Sequence, residues 1–580
     1  MKNATWILGL PFLAVSLAAC SGGAAGLGAS SSASSSAGSS SSSTAANGTS
    51  MTTPLGQVAA ARLLMQGTFG ATPDTVNSTA AQSYSQWFAG QAQATPSLTL
   101  ASINSNENTD WSPAWFYNVV QGNDQLRQRM AFALSQIFVI SGNGEPLGEN
   151  QHNQALAYYY DTLVNDALGN FRQLLQDVTL SPGMGEFLSM MRSDKPNPAT
   201  GVHADENYAR EVMQLFTIGL YLLNPDGSTQ NDSSGNPLPT YQLTDVVNLA
   251  NAFTGWSSAP VPGSGHTGDL AWQYDTNETT PMVAYEDHHD TDAKTIIGGV
   301  SLPAGQPTAA DLKTALDTLF NHPNVGPFIG KQLIQRLVTS NPSPAYVQRV
   351  TQIFNNDGTG TRGNLLAVAE AILTDPEAIA AGTSKSYGKL REPLLRVTAL
   401  WRAFNAYAYN SGKQENDPEL LLYANQLFNE YPLYSPSVFN FYRPDYQLTG
   451  PLTAAGMVAP EFQITNEATL VYTGNFLQQY AYQYVDSTGT AYAGPDYNAV
   501  SALQPTSVVL HTAEWEPLAA NPTNLIAQLN LVLMANQMSA PMQGALLGYA
   551  NSLPAGTPAA TVVAQTAELV VSSPQFAVQR

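Results

Sequence analysis

Residues 205–216 read DENYAREVMQLF, and their apolar side chains recur with the period of an α-helix. At about 100° per residue, Tyr208, Val212, Leu215 and Phe216 fall on one arc, and polar side chains fall on the opposite arc. Similar helical patterns recur along most of the chain, whereas alternation with period two is confined to short runs. The sequence therefore predicts a mainly α fold, a multi-helix globular body.

One stretch, near residues 272–300, has a different pattern. Residues 282–285 (MVAY) and 295–297 (TII) are short β-like runs on either side of a charged loop. We expect a small insert of two or three strands there. No repeat of fixed period is visible, which argues against a solenoid. Our working division is a helical N-terminal half, residues 54–300, and a helical C-terminal half, residues 301–580.

Local signals predict where individual helices begin and where loops lie. Asn170 and Thr244 each precede an apolar helical pattern, so we expect Asn170 to cap the next helix and Thr244 to cap a helix over 245–253. A further helix is predicted over 418–429. The stretch 484–507 is rich in Gly, Tyr and Pro, and is predicted to be a loop.

The N-terminus has the pattern of an export signal. Lys2 precedes an apolar run that ends in small residues, and the only cysteine of the 580-residue chain, Cys20, follows directly. The apolar run is too short to span a bilayer as a helix. Because no other cysteine exists, the body has no internal disulfide.

This segment resembles a bacterial lipoprotein signal with its lipobox at 17–20 (LAAC). The resemblance implies that residues 1–19 are a signal peptide, that cleavage occurs before Cys20, and that Cys20 carries two or three acyl chains in a lipid bilayer. Such a number of chains holds a protein firmly on a membrane. Ser21, where lipoproteins retained in the inner membrane have Asp, favours the outer membrane of the cell envelope.

Residues 20–53 follow as a segment of Ser, Gly, Ala, Thr and Asn with almost no apolar bulk. Such a composition cannot bury enough surface to offset its ordering entropy, so it predicts a disordered linker. At roughly 5–6 Å × √n, its root-mean-square reach is about 30 Å. The expected arrangement is a membrane anchor, a tether and a folded body.

The chain is acidic, with a formal net charge of −21, and only 11% of its residues are charged. A net acidic body argues against nucleic-acid binding, which needs a basic surface. It also argues against adhesion to anionic lipid beyond the anchor itself. Beyond the signal, no apolar stretch is long enough for a membrane helix.

The polar arc of residues 205–216 is the first candidate site. Glu206, Arg210 and Glu211 lie on it together with two amide side chains, an unusual density in a chain with few charges. Glu206 and Glu211 can act as metal ligands or as a general base, and Arg210 can hold an anionic group. The alternative is a solvated helix face whose Glu206–Arg210 pair contributes about 0.3–0.5 kcal/mol.

The second candidate lies at residues 286–290, which read EDHHD. His288, His289 and Asp290 offer nitrogen and oxygen ligands suited to a divalent metal such as Zn²⁺ or Fe²⁺. Adjacent side chains of an extended strand point in opposite directions, so one metal would normally use only one of the two histidines. A site would need Glu206 or Glu211 as partners, so we expect the polar arc to face this loop inside a cleft. The alternative is a purely structural loop.

An aromatic stretch at 436–446 (PSVFNFYRPDY) is either a sugar-stacking platform or a loop packed into the core. Neither a Gly-x-Ser-x-Gly nucleophile elbow nor a phosphate-binding loop occurs in the sequence. Nucleophilic serine catalysis therefore has no support.

Several of these motifs resemble the bacterial domain-of-unknown-function family 1800, over about residues 60–580. The segments that carry the resemblance are 62–64 (RLL), 67–73 (GTFGATP), 206–211 (ENYARE), 243–246 (LTDV), 253–256 (FTGW), 289–290 with Lys294 and Gly298, 322–325 (HPNV), 330–334 (GKQLI), 362–365 (RGNL), 375–378 (DPEA), 391–393 (REP), 436–444 and 573–576 (SPQF).

The resemblance implies a mostly helical exported protein without an established activity, often encoded beside hydrolases that look like alkaline phosphatases. Many members carry Trp-His-Asn-His-Phe where this chain has 134–138 (LSQIF), and many have a histidine where Phe216 stands. If those histidines are metal ligands in other members, this chain has lost them.

Two functions remain open. In the first, the protein is an envelope-anchored lipoprotein without catalytic activity that binds an envelope polymer or an exported hydrolase. In the second, it is a metal-assisted envelope hydrolase or oxidoreductase that uses Glu206, Arg210 and Glu211 with His288, His289 and Asp290. Missing catalytic motifs and missing histidines favour the first.

Overall fold

The structure, a computed structural model, describes residues 51–103, 110–148, 152–380, 387–410, 413–415, 428–493 and 507–580. Half of the chain is helical, in 22 α-helices of the described part, which confirms the mainly α prediction. Residues 50–580 form one compact unit. The predicted signal peptide, Cys20, most of the tether and most of the predicted helix 418–429 lie outside the described residues.

The helices of the N-terminal part are short, between 6 and 14 residues. They are α1 Gln57–Gly67, α2 Pro73–Ala80, α3 Tyr84–Gln93, α4 Ser112–Gln121, α5 Gln125–Ser135, α6 Asn153–Asp166, α7 Phe171–Thr179, α8 Pro182–Phe187, α9 Asn207–Gln214, α10 Leu243–Ala252 and α11 Asp269–Tyr274.

The remaining helices are also short. They are α12 Thr308–Asn321, α13 Val325–Leu337, α14 Pro344–Asn355, α15 Leu365–Leu373, α16 Pro376–Ile379, α17 Pro393–Ala403, α18 Pro451–Ala454, α19 Glu467–Ala481, α20 Pro522–Met534, α21 Ala540–Ser552 and α22 Ala559–Val571. No helix among the described residues combines the length and the apolar character that a membrane crossing requires.

The predicted β insert is present. Strand β1 (Trp256–Ser257) pairs antiparallel with β2 (Val283–Ala284), and β3 (Lys294–Ile296) pairs antiparallel with β4 (Val300–Leu302). The insert is therefore two separate two-stranded ladders. Its first strand, β1, lies upstream of the predicted bounds, in the segment that follows α10.

A second β region was not foreseen. Short strands form a five-stranded sheet in the order β7-β6-β10-β8-β9, and a separate two-stranded pair joins β5 and β11. The strands are β5 Lys389–Leu390, β6 Tyr407–Asn410, β7 Lys413–Glu415, β8 Tyr484–Val485, β9 Ala491–Tyr492, β10 Ser507–His511 and β11 Val578–Gln579. The prediction of a loop over 484–507 is thus wrong where β8 and β9 lie, because strands of two residues have no readable alternation.

Of the two predicted helix caps, one is confirmed. The Asn170 side chain accepts a hydrogen bond from the backbone N–H of Arg172 at the start of α7. The predicted cap at Thr244 is wrong, because α10 already begins at Leu243. Gln242 precedes it, and a reciprocal pair of bonds between Gln242 and Asp245 closes that helix end.

Most of the core is one continuous apolar cluster that contains residues from both sides of residue 300, and two small clusters lie apart from it. The division into two halves at this point stays a prediction. Trp115 is a central member, fully buried, with ring centroids 5.6 Å from Phe69 and 4.8 Å from Phe116. Such edge-to-face aromatic contacts add about 0.5–1.5 kcal/mol to the effect of burial.

A carboxyl pair between α6 and α7 predicts a pH-dependent stability. Burial and the neighbouring Asp177 raise the pKa of Asp166 to about 7. Between its ordinary pKa near 4 and this value, the folded state holds a proton that the unfolded state has lost, so stability falls as pH rises through this window. We expect Asp166→Asn to raise the free energy of unfolding at pH 8 by about 1–2 kcal/mol, a figure reduced for partial solvent exposure.

Urea unfolding followed by circular dichroism at pH 8 and pH 4 measures this gain. At pH 4 the difference between wild type and Asp166→Asn should largely vanish. The exposed Asp287 supplies a control, and Asp287→Asn should change stability little at either pH. An equal effect of Asp166→Asn at both pH values would contradict the prediction.

Candidate functional site

The polar arc of α9 is half-exposed at its start. Tyr208 and Val212 are buried against the core, as the helical period predicts. On the opposite side, Nη2 of Arg210 lies 2.9 Å from Oε2 of Glu206, and the two side chains are 40% and 38% exposed. A pair this accessible contributes little to stability, and it leaves both groups in contact with solvent.

Glu211 faces the interior instead. Its residue is buried, and its Oε2 has no hydrogen-bond partner. Burial raises the pKa of Glu211, and the charge of Arg210 opposes this shift. Glu211 thus carries a carboxyl group whose pKa is perturbed, a feature found more often at functional sites than elsewhere.

The first histidine of the loop, His288, is held by stacking. Its ring lies parallel to Trp272 with the centroids 3.9 Å apart. Its Nδ1 lies 3.2 Å from Oδ2 of Asp194, and its Nε2 lies 3.5 Å from Oδ1 of Asp269. Both ring nitrogens therefore face carboxylates.

The second histidine, His289, is fully buried in a polar cluster that joins the insert to α12. Its Nδ1 lies 3.0 Å from the backbone oxygen of Thr254, and its Nε2 lies 3.4 Å from Oδ2 of Asp311. Lys294 reaches the same Asp311 oxygen at 3.0 Å and donates to the backbone oxygen of Asp290 at 2.7 Å. His289 and Asp290 thus take part in a buried network with Lys294.

The structure brings the predicted residues together only in part. Glu206 and Arg210 are paired, and His289 and Asp290 share a cluster. The hydrogen bonds and ion pairs described for the loop histidines go to segments other than α9. Among the described residues, no three or more His, Cys, Asp or Glu side chains are grouped so that they could hold a metal ion. A site that combines α9 with the loop stays a prediction.

A different part of the molecule has the form of a binding site. A cleft of about 500 Å³ opens between α13, the segment after α9 and the aromatic stretch 436–446. Its lining residues are Gln136, Ile137, Gln214, Leu215, Gly219, Leu220, Tyr221, Phe328, Gln332, Arg336, Val438, Phe439, Asn440, Tyr442, Arg443, Pro444 and Asp445. This volume lies in the range of small-molecule pockets.

Beneath the cleft lies a network of buried charges. Nζ of Lys389 lies 3.0 Å from Oε1 of Glu461 and 3.7 Å from Oε1 of Glu392, and all three side chains are almost fully buried. The hydroxyl of Tyr442 donates to Glu392. Nζ of Lys389 also donates to the backbone oxygen of Arg336 at 2.7 Å, which ties the network to α13.

The two carboxyl groups of this network respond differently to burial. Burial alone would raise the pKa of Glu392, but the nearby cations Lys389, Arg129 and Arg336, with the Tyr442 hydrogen bond, lower it. Burial raises the pKa of Glu461 despite the opposing charge of Lys389. The surroundings of Glu392 therefore favour its charged form, whereas burial disfavours the charged form of Glu461.

Two of the cations have no carboxylate partner. Within the described part of the chain, no Asp or Glu oxygen lies within 4 Å of Arg129 or Arg336. Arg336 instead donates to the backbone oxygens of Gln332 at 3.2 Å and Gln136 at 2.8 Å. Its Nε and the Nε2 of Gln332 are buried without a hydrogen-bond partner.

The aromatic stretch 436–446 divides between the two roles expected for it. Phe441 and Tyr442 are buried, as in a packed loop, whereas Phe439 is about half-exposed at the cleft mouth. The sequence indicated a possible sugar-stacking platform at 436–446 but gave no reason to add Gln332 or Glu392, although Gln332, Glu392 and Tyr442 all lie in segments that carry the family resemblance. The signal for a site that the sequence did contain was the presence of charged residues next to apolar residues in those segments.

Comparison with known proteins gives one match. A family model described as "Protein of unknown function (DUF1800)" matches residues 62–578. No curated protein and no solved structure matches the chain. The match covers the α9 arc, the β insert and the cleft.

Proposed function

We propose, for a chain that belongs to the DUF1800 family of proteins of unknown function, that it is an exported lipoprotein whose folded body binds a ligand or partner without catalysing a reaction. The observation that supports binding is the cleft, with unpartnered buried polar atoms at its base and exposed apolar side chains at its mouth. Buried polar atoms without partners carry a free-energy cost that a bound ligand relieves. The proposed partner is an envelope polymer or an exported hydrolase, and only the hydrolase is suggested by the family resemblance.

The anchor in this proposal is acylated Cys20, and the location is the cell envelope, with the outer membrane favoured. Replacing Cys20→Ser in the full-length protein removes the sulfur that would carry the acyl chains. We expect the wild type to sediment with membranes and to incorporate labelled palmitate, and the variant to be soluble and unlabelled. A Cys20→Ser protein that still sediments with membranes would contradict the anchor.

A second variant separates anchoring from sorting. Ser21→Asp keeps the acylated cysteine but introduces the residue associated with retention in the inner membrane. We expect it to remain in the membrane fraction and to shift from outer to inner membrane in a density gradient. Wild type found in the inner membrane would argue against the outer-membrane location, and a variant that stays in the outer membrane would argue against a sorting role for Ser21; either result leaves the anchor itself intact.

Binding at the cleft is tested by site-specific crosslinking in cells. A photo-crosslinking benzoylphenylalanine replaces Tyr221 at the cleft mouth in one variant and the exposed Tyr274, on α11, in a matched control. We expect a defined adduct, small or macromolecular, at position 221 only, identified by mass spectrometry. No adduct at either position, or equal adducts at both, would contradict a binding role for the cleft.

The alternative function, a metal-assisted hydrolase or oxidoreductase, has less support in the geometry. Its proposed residues on α9 and on the 286–290 loop have separate sets of partners, and Arg210 pairs with Glu206. Elemental analysis of the purified full-length protein tests it. If the wild type holds stoichiometric divalent metal, and both Glu211→Ala and His289→Ala lose it, the enzyme becomes the better-supported function.

A further inference from the structure

We propose that the cleft takes an amphiphilic carboxylate, a molecule with one carboxylate group and an apolar body, with the carboxylate at the base beside Arg336 and Gln332. This assignment rests on the proposed binding function and names the chemistry of its ligand. It follows from the cations below the cleft, the donors at its base and the apolar side chains at its mouth.

Arg336 carries the electrostatic part of the argument. Its residue is 3% exposed and lines the cleft, and an arginine keeps its charge in such surroundings. A buried cation normally has an ionised partner, because desolvation of a lone charge is costly. Within the described part of the chain, Arg336 hydrogen-bonds only to backbone oxygens, and the charges of Glu392 and Glu461 act on it from beyond 4 Å, so no carboxylate occupies a hydrogen-bonding position on its guanidinium group.

The neighbouring groups add to this positive character. Among the described residues Arg129 also has no carboxylate within 4 Å, and its Nη2 donates to the backbone oxygen of Arg336 at 2.5 Å. Although the whole chain is acidic, the charged side chain that lines the base of this cleft is the cation Arg336, which favours an anionic ligand group.

Gln332 supplies a second donor in a suitable position. It lies four residues before Arg336 on α13, so both side chains share one face of the helix. Gln332 is 7% exposed, and its Nε2 lacks a partner, as does the Nε of Arg336. Both atoms are closed to solvent in the free protein, so the proposal requires the two side chains to turn towards the cleft, where the two oxygens of one carboxylate would accept from both groups.

The mouth of the cleft selects for an apolar body. Leu220, Tyr221 and Phe439 are each close to half-exposed, and Phe328 and Val438 line the wall below them. An apolar ligand segment removes this surface from water, at roughly 25 cal/mol per Å². The one carboxylate of the lining, Asp445, is bound by Arg443 at 2.7 Å, so the lining gives no comparable reason to attract a cation.

Octanoate is a suitable probe, with 1-octanol and octylammonium as chain-matched controls of different charge. In titration calorimetry at pH 7.5 with the full chain, we expect one saturable octanoate site and at least tenfold weaker binding of octanol. Octylammonium should show no saturable binding. Equal affinity for octanoate and octanol, or non-saturable octanoate binding, would overturn the proposal without any variant.

Two variants of Gln332 locate the site. Gln332→Glu places a negative charge beside the expected carboxylate and should weaken octanoate binding at least tenfold while octanol binding changes little. Gln332→Met keeps the length of the side chain and removes the donors, so the preference for octanoate over octanol should shrink. Octanoate binding that is unchanged in both variants would overturn the proposed position.

The rim variant Phe439→Ser, at an exposed position, should weaken octanoate and octanol alike. A fully retained affinity for both would show that the apolar part binds elsewhere. If octanoate fails to bind while crosslinked adducts form at Tyr221, the ligand class is wrong and the binding function stands. If adducts fail to form as well, the proposed function itself is wrong.

Discussion

Lys389→Met is expected to lower the free energy of unfolding by about 3–5 kcal/mol, because it leaves buried carboxylates without their cation. Lys389 is the only residue that bridges Glu392 and Glu461 among the described ion pairs, and it also donates to the backbone oxygen of Arg336. Methionine preserves the apolar stem and removes the ammonium group. The loss therefore reports on charge more than on packing.

Urea unfolding followed by tryptophan fluorescence measures this loss. Lys313→Met is the matched control, because Lys313 pairs with Asp317 at 2.6 Å but is 73% exposed. Surface pairs of this kind contribute about 0–1 kcal/mol, so the control should change stability by less than about 1 kcal/mol.

The double variant Lys389→Met with Glu461→Gln tests the cause. Because Glu461→Gln removes one of the two abandoned carboxylates, we expect the double variant to be more stable than Lys389→Met alone, by about 1–2 kcal/mol. If the stability losses of Lys389→Met and Glu461→Gln simply add in the double variant, the charge argument is contradicted. A loss below about 1 kcal/mol in the single variant would show that water or another cation compensates Glu392 and Glu461.

Gly70→Ala is the second change for which we expect a large effect, a loss of about 3–5 kcal/mol. Gly70 has φ +137°, a conformation that side-chain-bearing residues rarely adopt, and an added Cβ would lie 2.6 Å from the Cα of Ala399. Backbone strain contributes about 1–3 kcal/mol, and overpacking against α17 adds a similar amount. The carbonyl of Gly70 also accepts from Nε of Arg402 at 2.7 Å, so a backbone shift would weaken this bond.

Thermal and urea unfolding of Gly70→Ala test the effect. Gly90→Ala is the matched control, because Gly90 lies inside α3 and an added Cβ would meet nothing within 4 Å. Alanine is a better helix former than glycine by about 1 kcal/mol, so the control should be slightly stabilised. A Gly70→Ala protein as stable as the wild type would mean that the loop holding Gly70, between α1 and α2, can move away from α17 without loss.

Much of the fold was predictable because helix formation depends on residues that are close together in the sequence. The spacing of Tyr208, Val212 and Phe216 places all three on the buried side of α9 or of the turn after it. The Asn170 cap is equally local, since its side chain bonds a backbone N–H two residues later. The Glu206–Arg210 ion pair also follows from spacing, and its exposure agrees with a solvated helix face.

The five-stranded sheet was not predictable for the opposite reason. Strand β10 pairs with β6 and β8, so Val508 lies beside Ala408 and Leu510 beside Tyr484. Such pairs depend on parts of the chain that are far apart in sequence, and strands of two to five residues carry almost no periodic signal. The candidate residues of the metal hypothesis show the same limit, since spacing could not show that His289 faces Asp311.

The sequence by itself determined the helical class, the β insert and the acidic character, because each depends on composition or on contacts within a few residues. Only the tertiary structure decided which charges meet in the interior. Arg336, Lys389 and Glu461 come from three distant segments, and their balance depends on distance and burial after folding. A charge acquires its free energy from its surroundings, and folding sets those surroundings.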